Sequence, residues 1–132
     1  MLMGTTVDVV IEVSRGSFTK RRPDGRVHFI SPFPSPFNYG SVPGTRAADG
    51  DPLDAIVLGA RLVRGTRARA VVRGVVDFLD HDVPDFKLVI SARPLRRRDR
   101  VLIDAFFRVY APAKRVLDSG RGRTRYRGFR VP

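Results

Sequence analysis

Over the first two thirds of the chain apolar residues come in short runs, one of them alternating, bounded by turn signals, and that pattern commits it to strands rather than helices. The run VDVVIEV (7–13) sets Val7, Val9, Ile11 and Val13 on one face against Asp8 and Glu12 on the other. RVHFIS (26–31), DAIVLGARLV (54–63), TRARAVVRGVVDFLD (66–80) and FKLVISA (86–92) read as further strands, with Gly74 placed for a bulge in the longest. Pro23-Asp24-Gly25 is a turn signal that brings RVHFIS back as the second arm of a hairpin with the first strand. PFPSPFNYGSVPG (32–44) holds four prolines and reads as rigid irregular chain, because proline fixes φ and donates nothing to a ladder.

The period changes once. RDRVLIDAFFRVY (98–110) brings Leu102, Phe106, Val109 and Tyr110 onto one helical face, with Asp99 in the first turn and Pro112 as the stop. The remainder, APAKRVLDSGRGRTRYRGFRVP, is rich in arginine and glycine, and alternation at RYRGF allows one last short strand. Five or six short strands followed by one helix predict a mainly β (α+β) domain, a small closed or partly closed barrel with the helix packed on it. At 132 residues the chain can build a core without staples. It has no cysteine, which excludes disulfides, thiol nucleophiles, Cys-based zinc sites and Fe–S clusters. MLMGTTVDVV has no basic segment followed by a long apolar one, and no apolar run reaches a membrane span, so a soluble cytoplasmic protein without membrane contact is expected.

Charge narrows the function. The net charge is +12, from 25 Lys+Arg against 13 Asp+Glu, a field that attracts polyanions. Only Lys20, Lys87 and Lys114 are lysines, and Glu12 is the lone glutamate. Against that background ADGDPLDAIVLG (48–59) crowds Asp49, Asp51 and Asp54 around a turn permitted by Gly50 and stiffened by Pro52. Carboxylates this close do not all ionise unless a cation offsets their repulsion. Oxygen ligands without thiolates suit Mg²⁺ or Mn²⁺ better than zinc. Taken alone, such a turn is more often a solvated loop than a metal site. DFLDHDVPDFK carries a second acidic group, Asp77, Asp80, Asp82 and Asp85, followed by Lys87, while His28 and His81 show no metal-ligand spacing.

DGDPLD resembles the Asp-x-Asp-Pro-x-Asp signature of the soluble (family I) inorganic pyrophosphatases. VVIEVSRGSFTK is similar to the family's opening strand with its glutamate and phosphate-binding lysine, here Glu12 and Lys20. RVHF resembles the strand that begins with a substrate arginine, Arg26, and SPFNYGSVPGT the Tyr-Pro-x-x-Tyr-Gly-x-x-Pro segment, supplying Tyr39. GVVDFLDHDVPDFKLV is similar to the stretch with two metal-binding aspartates and a lysine, here Asp80, Asp85 and Lys87, and FFRVY to the helical segment bearing Tyr110. The likeness runs over roughly residues 8–112 and departs from the family at Arg22, Ser35 and Ala111, where an acid, a tyrosine and a lysine are usual. The chain stops at GFRVP, about where the family's C-terminal helix begins, so that helix is expected to be absent.

The resemblance implies a closed five-stranded OB-like barrel with its helix over residues 1–112, then a basic Arg/Gly-rich extension over 113–132. It implies Mg²⁺-dependent hydrolysis of pyrophosphate to two phosphates by in-line attack of a metal-bridging hydroxide, with Mn²⁺ as a substitute metal. Asp49, Asp54 and Asp85 would hold the activating metals, Asp80 with Asp85 a further one, and Glu12 would contact a substrate-bridging ion. Asp51 is the expected base, and Lys20, Arg26, Tyr39, Lys87 and Tyr110 the expected phosphoryl ligands. A homo-oligomer, a hexamer in the bacterial members, is implied as well. Two other readings stay open. One is a weakly active paralogue; the other is a basic nucleic-acid-binding barrel using RPLRRRDR and GRGRTRYRGFR, with Tyr126 and Phe129 as stacking faces.

Overall fold

A computed structural model of the chain describes residues 3–17, 19–21, 27–30, 34–117 and 124–132. In chain order the elements are β1 (Thr6–Val13), β2 (Thr19–Arg21), β3 (Val27–Ile30), β4 (Asn38–Val42), β5 (Leu53–Val57), β6 (Arg67–Asp80), β7 (Val83–Pro84), β8 (Lys87–Ser91), α1 (Arg97–Leu117) and β9 (Arg125–Arg130). The fold is thus mixed, sheet with one helix among the described residues. No helix among them is long and apolar enough to cross a membrane.

The small closed five-stranded OB-like barrel is corrected. The strands form a seven-stranded sheet ordered β1-β4-β5-β8-β6-β7, with β9 on β6, and β2 and β3 make a separate two-stranded sheet. The physical reason is β6, whose 14 residues serve more neighbours than a barrel stave of ordinary length. Its first residues pair with β1, its middle with β8, and its last with β9 before the chain turns into β7. β1 divides likewise, pairing with β6 through Thr6–Val10 and with β4 through its second half. Pairing is antiparallel except between β5 and β8, which run parallel with Asp54 opposite Lys87.

Other boundaries moved for local reasons. The proline-rich segment contains β4, because its prolines flank Asn38–Val42 without entering it. The strand expected over 54–63 ends at Val57, shortly before Gly59 takes a positive φ of 117°. β3 (Val27–Ile30) pairs with β2, and among the described residues it has no ladder with β1. The bulge expected at Gly74 is present, as a register shift between Val72 and Gly74. The helix passes Pro112 and continues to Leu117, so the helix stop expected at Pro112 is corrected. Its buried face is Ile103, Phe107 and Ala111, while Leu102 and Val109, expected inward, are 46% and 59% exposed.

Two apolar clusters divide the sheet. Val9, Ile11, Val42, Ala55, Val57, Val72, Val75, Leu88 and Ile90 pack together on one side. Ile56, Val76, Phe78 and Val89 face the other way and are covered by Phe37 and by Ile103, Phe107 and Ala111 of α1. The alternation within β5 and β8 therefore serves two cores, which is why those strands read as continuous apolar runs.

Backbone proximity sets one strict requirement. A Cβ on Gly40 would lie 2.0 Å from the Val10 carbonyl oxygen across the β1–β4 pair. Gly40→Ala is expected to lower unfolding free energy by about 3 kcal/mol, at the upper end for overpacking. Urea unfolding checks this; a midpoint equal to that of the unsubstituted protein would show that the strands separate without cost.

Candidate functional site

The site begins with a buried cation. Lys87, the first residue of β8, is 5% exposed. Its Nζ donates to Tyr39 Oη at 2.7 Å, Asp85 Oδ2 at 2.9 Å and Asp54 Oδ2 at 3.2 Å. Strand register explains the convergence. Asp54 and Lys87 are parallel partners, Asp85 precedes Lys87 by two residues, and Ser41 opposite Asp54 puts Tyr39 on the same face by alternation. An ammonium taken from water needs acceptors for its three protons, and here it finds three.

Electrostatics follow from that arrangement. Burial pushes the Asp85 carboxyl above the ordinary range, with Asp54 adding to the rise and Lys87 opposing it. Burial also raises the Tyr39 phenol well above its usual value, helped by Asp54. Burial alone would lower Lys87, but Tyr39, Asp54 and Asp85 together hold it well above its usual value. Lys87 is a fixed positive charge, and the strain of burial is carried by the acids.

Phe78 joins this centre to the helix. The Lys87 ammonium lies 5.3 Å from the Phe78 ring centroid, and Tyr110 packs at 6.0 Å from the same ring. Tyr110 also stacks on Phe106 at 5.4 Å, so it belongs to the aromatic core as well as to the edge of the site. Two residues beyond Phe78 on β6 is Asp80, which accepts from Lys114 Nζ of α1 at 2.6 Å. The Thr124 hydroxyl lies 3.4 Å from its other oxygen. Strand residues two apart thus meet helix residues four apart, Phe78 on Tyr110 and Asp80 on Lys114.

The other expected site residues are placed as follows. Asp49 and Asp51 are exposed on the turn before β5, where the Asp51 amide donates to Asp49 Oδ1 at 3.0 Å. Gly50, at φ 89°, closes that turn. Glu12 lies at the register shift between Ile11 and Val13 in β1, and its Oε1 is buried and accepts no hydrogen bond among the described residues. Lys20 lies in β2 opposite Phe29, with its side chain outside the described residues, as is the whole of Arg26. Among the described residues no group of three or more His, Cys, Asp or Glu side chains gathers as a metal cluster. Asp54 and Asp85 come together; Asp49 and Asp51 stay on the rim.

Lys114 escaped the sequence reading. The signal that could have found it is its rarity, as the third lysine in a chain that otherwise uses arginine. The basic tail is likewise more occupied than its composition implied. Asp77, 4% exposed, accepts from Arg127 Nε at 3.0 Å and Arg130 at 2.8 Å, which pins β9 to β6. Tyr126 donates to Asp104 at 2.8 Å, and both Tyr126 and Phe129 pack against the helix-side core, so neither is a free stacking face. A groove of about 580 Å³ bordered by Arg15, Arg93, Arg96 and Arg98 lies beyond the C-terminal ends of β5 and β8, opposite the ends that carry Asp54 and Lys87.

The family model described as inorganic pyrophosphatase matches residues 9–114. An inorganic pyrophosphatase of Aeropyrum pernix is 36% identical over 91 residues, covering 63% of this chain and 52% of that protein. The chain spans about half the length of the curated relatives it first matches. Among solved structures, the inorganic pyrophosphatase of Helicobacter pylori superposes with a TM-score of 0.78 at 26% identity, covering 96% of this chain and 84% of that one. That of Neisseria gonorrhoeae gives 0.77 at 28% identity, with 97% and 83% covered. The match takes in every strand of the Lys87 centre and α1 as far as residue 114, and on this ground the chain belongs to the soluble (family I) inorganic pyrophosphatase family.

Proposed function

We propose that this protein hydrolyses inorganic pyrophosphate to two phosphates with the help of divalent cations. The observation that carries the reading is the half-buried pair Asp54 and Asp85 sharing the buried Lys87 ammonium beside Tyr39. Two carboxylates against one ammonium leave negative charge in excess at a poorly solvated place, and burial already raises Asp85. A hard divalent cation relieves that excess, and an all-oxygen donor set fits Mg²⁺, with Mn²⁺ as substitute. Asp54 and Asp85 would hold the ion, with Asp49 joining from the turn and Glu12 serving an ion shared with substrate. Bound there, divalent ions neutralise phosphoryl oxygens and make a water acidic enough to attack near neutral pH.

The chain's own residues do the rest. Lys87 and the Tyr39 hydroxyl, already hydrogen-bonded to one another, offer a cation and a phenol to phosphoryl oxygens, and their placement on paired strands fixes their separation before substrate arrives. Lys20, Arg26 and Tyr110 complete the phosphoryl contacts in this reading. Asp51, exposed on the turn that leads into β5, is the base that orients the attacking water and receives its proton. Its exposure leaves it within reach of a water entering from solvent.

Two measurements test this. Asp51→Asn is expected to lower Mg²⁺-dependent phosphate release by about 10²–10⁴-fold, while unfolding free energy stays within about 0.5 kcal/mol, as for a surface substitution. Unchanged turnover removes Asp51 from the role of base. Lys87→Met strands two half-buried carboxylates, and unfolding free energy without metal at pH 7 is expected to fall by about 3 kcal/mol, the lower end for breaking a buried pair. Without the ammonium the Asp85 carboxyl rises further. A carboxyl raised in the folded state favours folding only at low pH and loses that contribution as pH climbs through its folded value. The deficit should therefore shrink as pH is lowered toward about 4; a deficit independent of pH would mean that lost packing, and not lost charge, causes it.

A further inference from the structure

The groove beyond the C-terminal ends of β5 and β8 gathers charge that the fold leaves uncompensated. Arg15, Arg93, Arg96 and Arg98 line it, the last three from the RPLRRRDR stretch. Among the described residues Asp99 is the one acid beside them, and it serves the fold: its Oδ2 accepts the Arg96 amide at 2.8 Å where α1 begins. Two carbonyls of the lining are taken as well, Ser91 O by Arg73 Nε at 3.1 Å and Ala92 O by Arg73 Nη2 at 3.0 Å. Arg15 is tethered through Nη1 to Gly59 O at 3.1 Å. Among the described residues the guanidinium groups of Arg93, Arg96 and Arg98 make no hydrogen bond or ion pair. The same stretch opposes the helix it opens. Arg97, Arg98 and Arg100 stand in the first turn of α1, where the backbone dipole favours anions and disfavours cations. Arg96 stands just before that turn, where a side-chain oxygen commonly caps the first amides, and a guanidinium has no acceptor to offer.

We infer that this groove binds a nucleoside polyphosphate, with the phosphates against the guanidinium groups and the open end of α1 and the base against Leu58 and Leu102. Guanidinium groups and a helix N-terminus converging on one concavity select a phosphate chain. The wall between them is apolar, with Phe37, Leu58 and Leu102, and such a wall excludes water and concentrates the field. It suits a flat, weakly polar ring joined to that chain, and guanidinium planes stack on rings of this kind. The volume, about 580 Å³, falls among small-molecule sites of roughly 300–1,000 Å³. A twofold contact between two copies through this face would set its arginines against themselves, so self-association does not explain it. β5 and β8 carry Asp54 and Lys87 near their N-terminal ends and lead to Leu58 and Ser91 at the other, so the groove is separate from the Lys87 centre and the inference does not depend on the reading given to that centre.

Calorimetric titration of the full-length protein tests this without reference to turnover. Adenosine triphosphate, inorganic tripolyphosphate and oligothymidylate are compared in EDTA, which keeps metal–nucleotide complexes from the Lys87 centre, at about 0.15 M salt to screen loose surface attraction. Adenosine triphosphate is expected to saturate one site per chain. Arg96→Gln and Arg98→Gln should each weaken it about tenfold, as for a lost hydrogen bond to a charged group. Leu102→Ser should weaken adenosine triphosphate several-fold and leave tripolyphosphate unchanged. Absence of saturable binding overturns the proposal, as does wild-type affinity in the Arg96→Gln/Arg98→Gln double variant. Tripolyphosphate binding as tightly as the nucleotide overturns the role of the base, and tighter binding of oligothymidylate replaces the small ligand with a nucleic-acid strand. The double variant removes cations from a helix N-terminus, so its urea midpoint is expected to equal or exceed that of wild type. A lower midpoint would make these arginines part of the fold and overturn the assignment. Phosphate release from pyrophosphate by the double variant is expected to match wild type, and a loss confined to the variant would move the arginines into the hydrolytic site.

Discussion

The buried Lys87 ammonium is the constraint to which the surrounding architecture answers. A charge at this depth is tolerable only with acceptors at hydrogen-bonding distance, and they come from three places: Tyr39 on β4, Asp54 on β5 and Asp85 just ahead of β8. That demands β5 and β8 side by side, parallel and in one register. Parallel neighbours need a long crossover, and here β6 supplies it, pairing with β8 on the way back. A slip of one residue in β8 would turn Lys87 to the opposite face and strand both acids. The apolar residues following in each strand, Ile56 and Val89 toward the helix and Ala55 and Leu88 away from it, make such a slip expensive.

The helix answers a second constraint. The face of the sheet that carries Lys87 also carries Phe78, Val76, Ile56 and Val89, and α1 covers them with Ile103, Phe107 and Ala111. Covering the apolar part brings Tyr110 and Lys114 to the rim, where the sheet ends in charge. Packing and site chemistry therefore share one interface. β9 closes the far side: Asp77 receives two arginines, and Asp104 receives Tyr126 and Arg108, whose hydrogen bonds hold its carboxyl below the usual range. The exposed pairs Asp8–Arg67 and Asp8–Arg69 add little, since solvent screens them. Two arginines of a tail that reads as loose polyanion-binding chain thus serve as structural ties.

Much of this was visible in the order of residues. Period-two alternation announced β1, apolar runs announced β6 and β8, and the bulge at Gly74 follows from glycine in a long strand. β4 was hidden because prolines crowd its flanks, and a rule about proline within a strand says little about proline beside one. The helical face was misjudged by about one position. Leu102 and Val109 are as apolar as Ile103 and Ala111, and only the location of the sheet selects between adjacent stripes. Pro112 reads as a stop, yet helix-side burial on one flank and the Lys114–Asp80 pair on the other carry α1 past it.

For the site, the sequence by itself determined which functional groups are available: oxygen donors without thiolates, few lysines, one glutamate, and acids massed at strand ends in a basic chain. Those are properties of composition and local order, and they persist however the strands pair. Only the tertiary structure decided which groups meet. Asp54 and Lys87 are 33 positions apart and Asp80 and Lys114 are 34, so each contact depends on the choice and register of neighbouring strands and on the docking of α1. Those choices are made by long-range burial, summed over many side chains, and no single stretch of sequence carries the total.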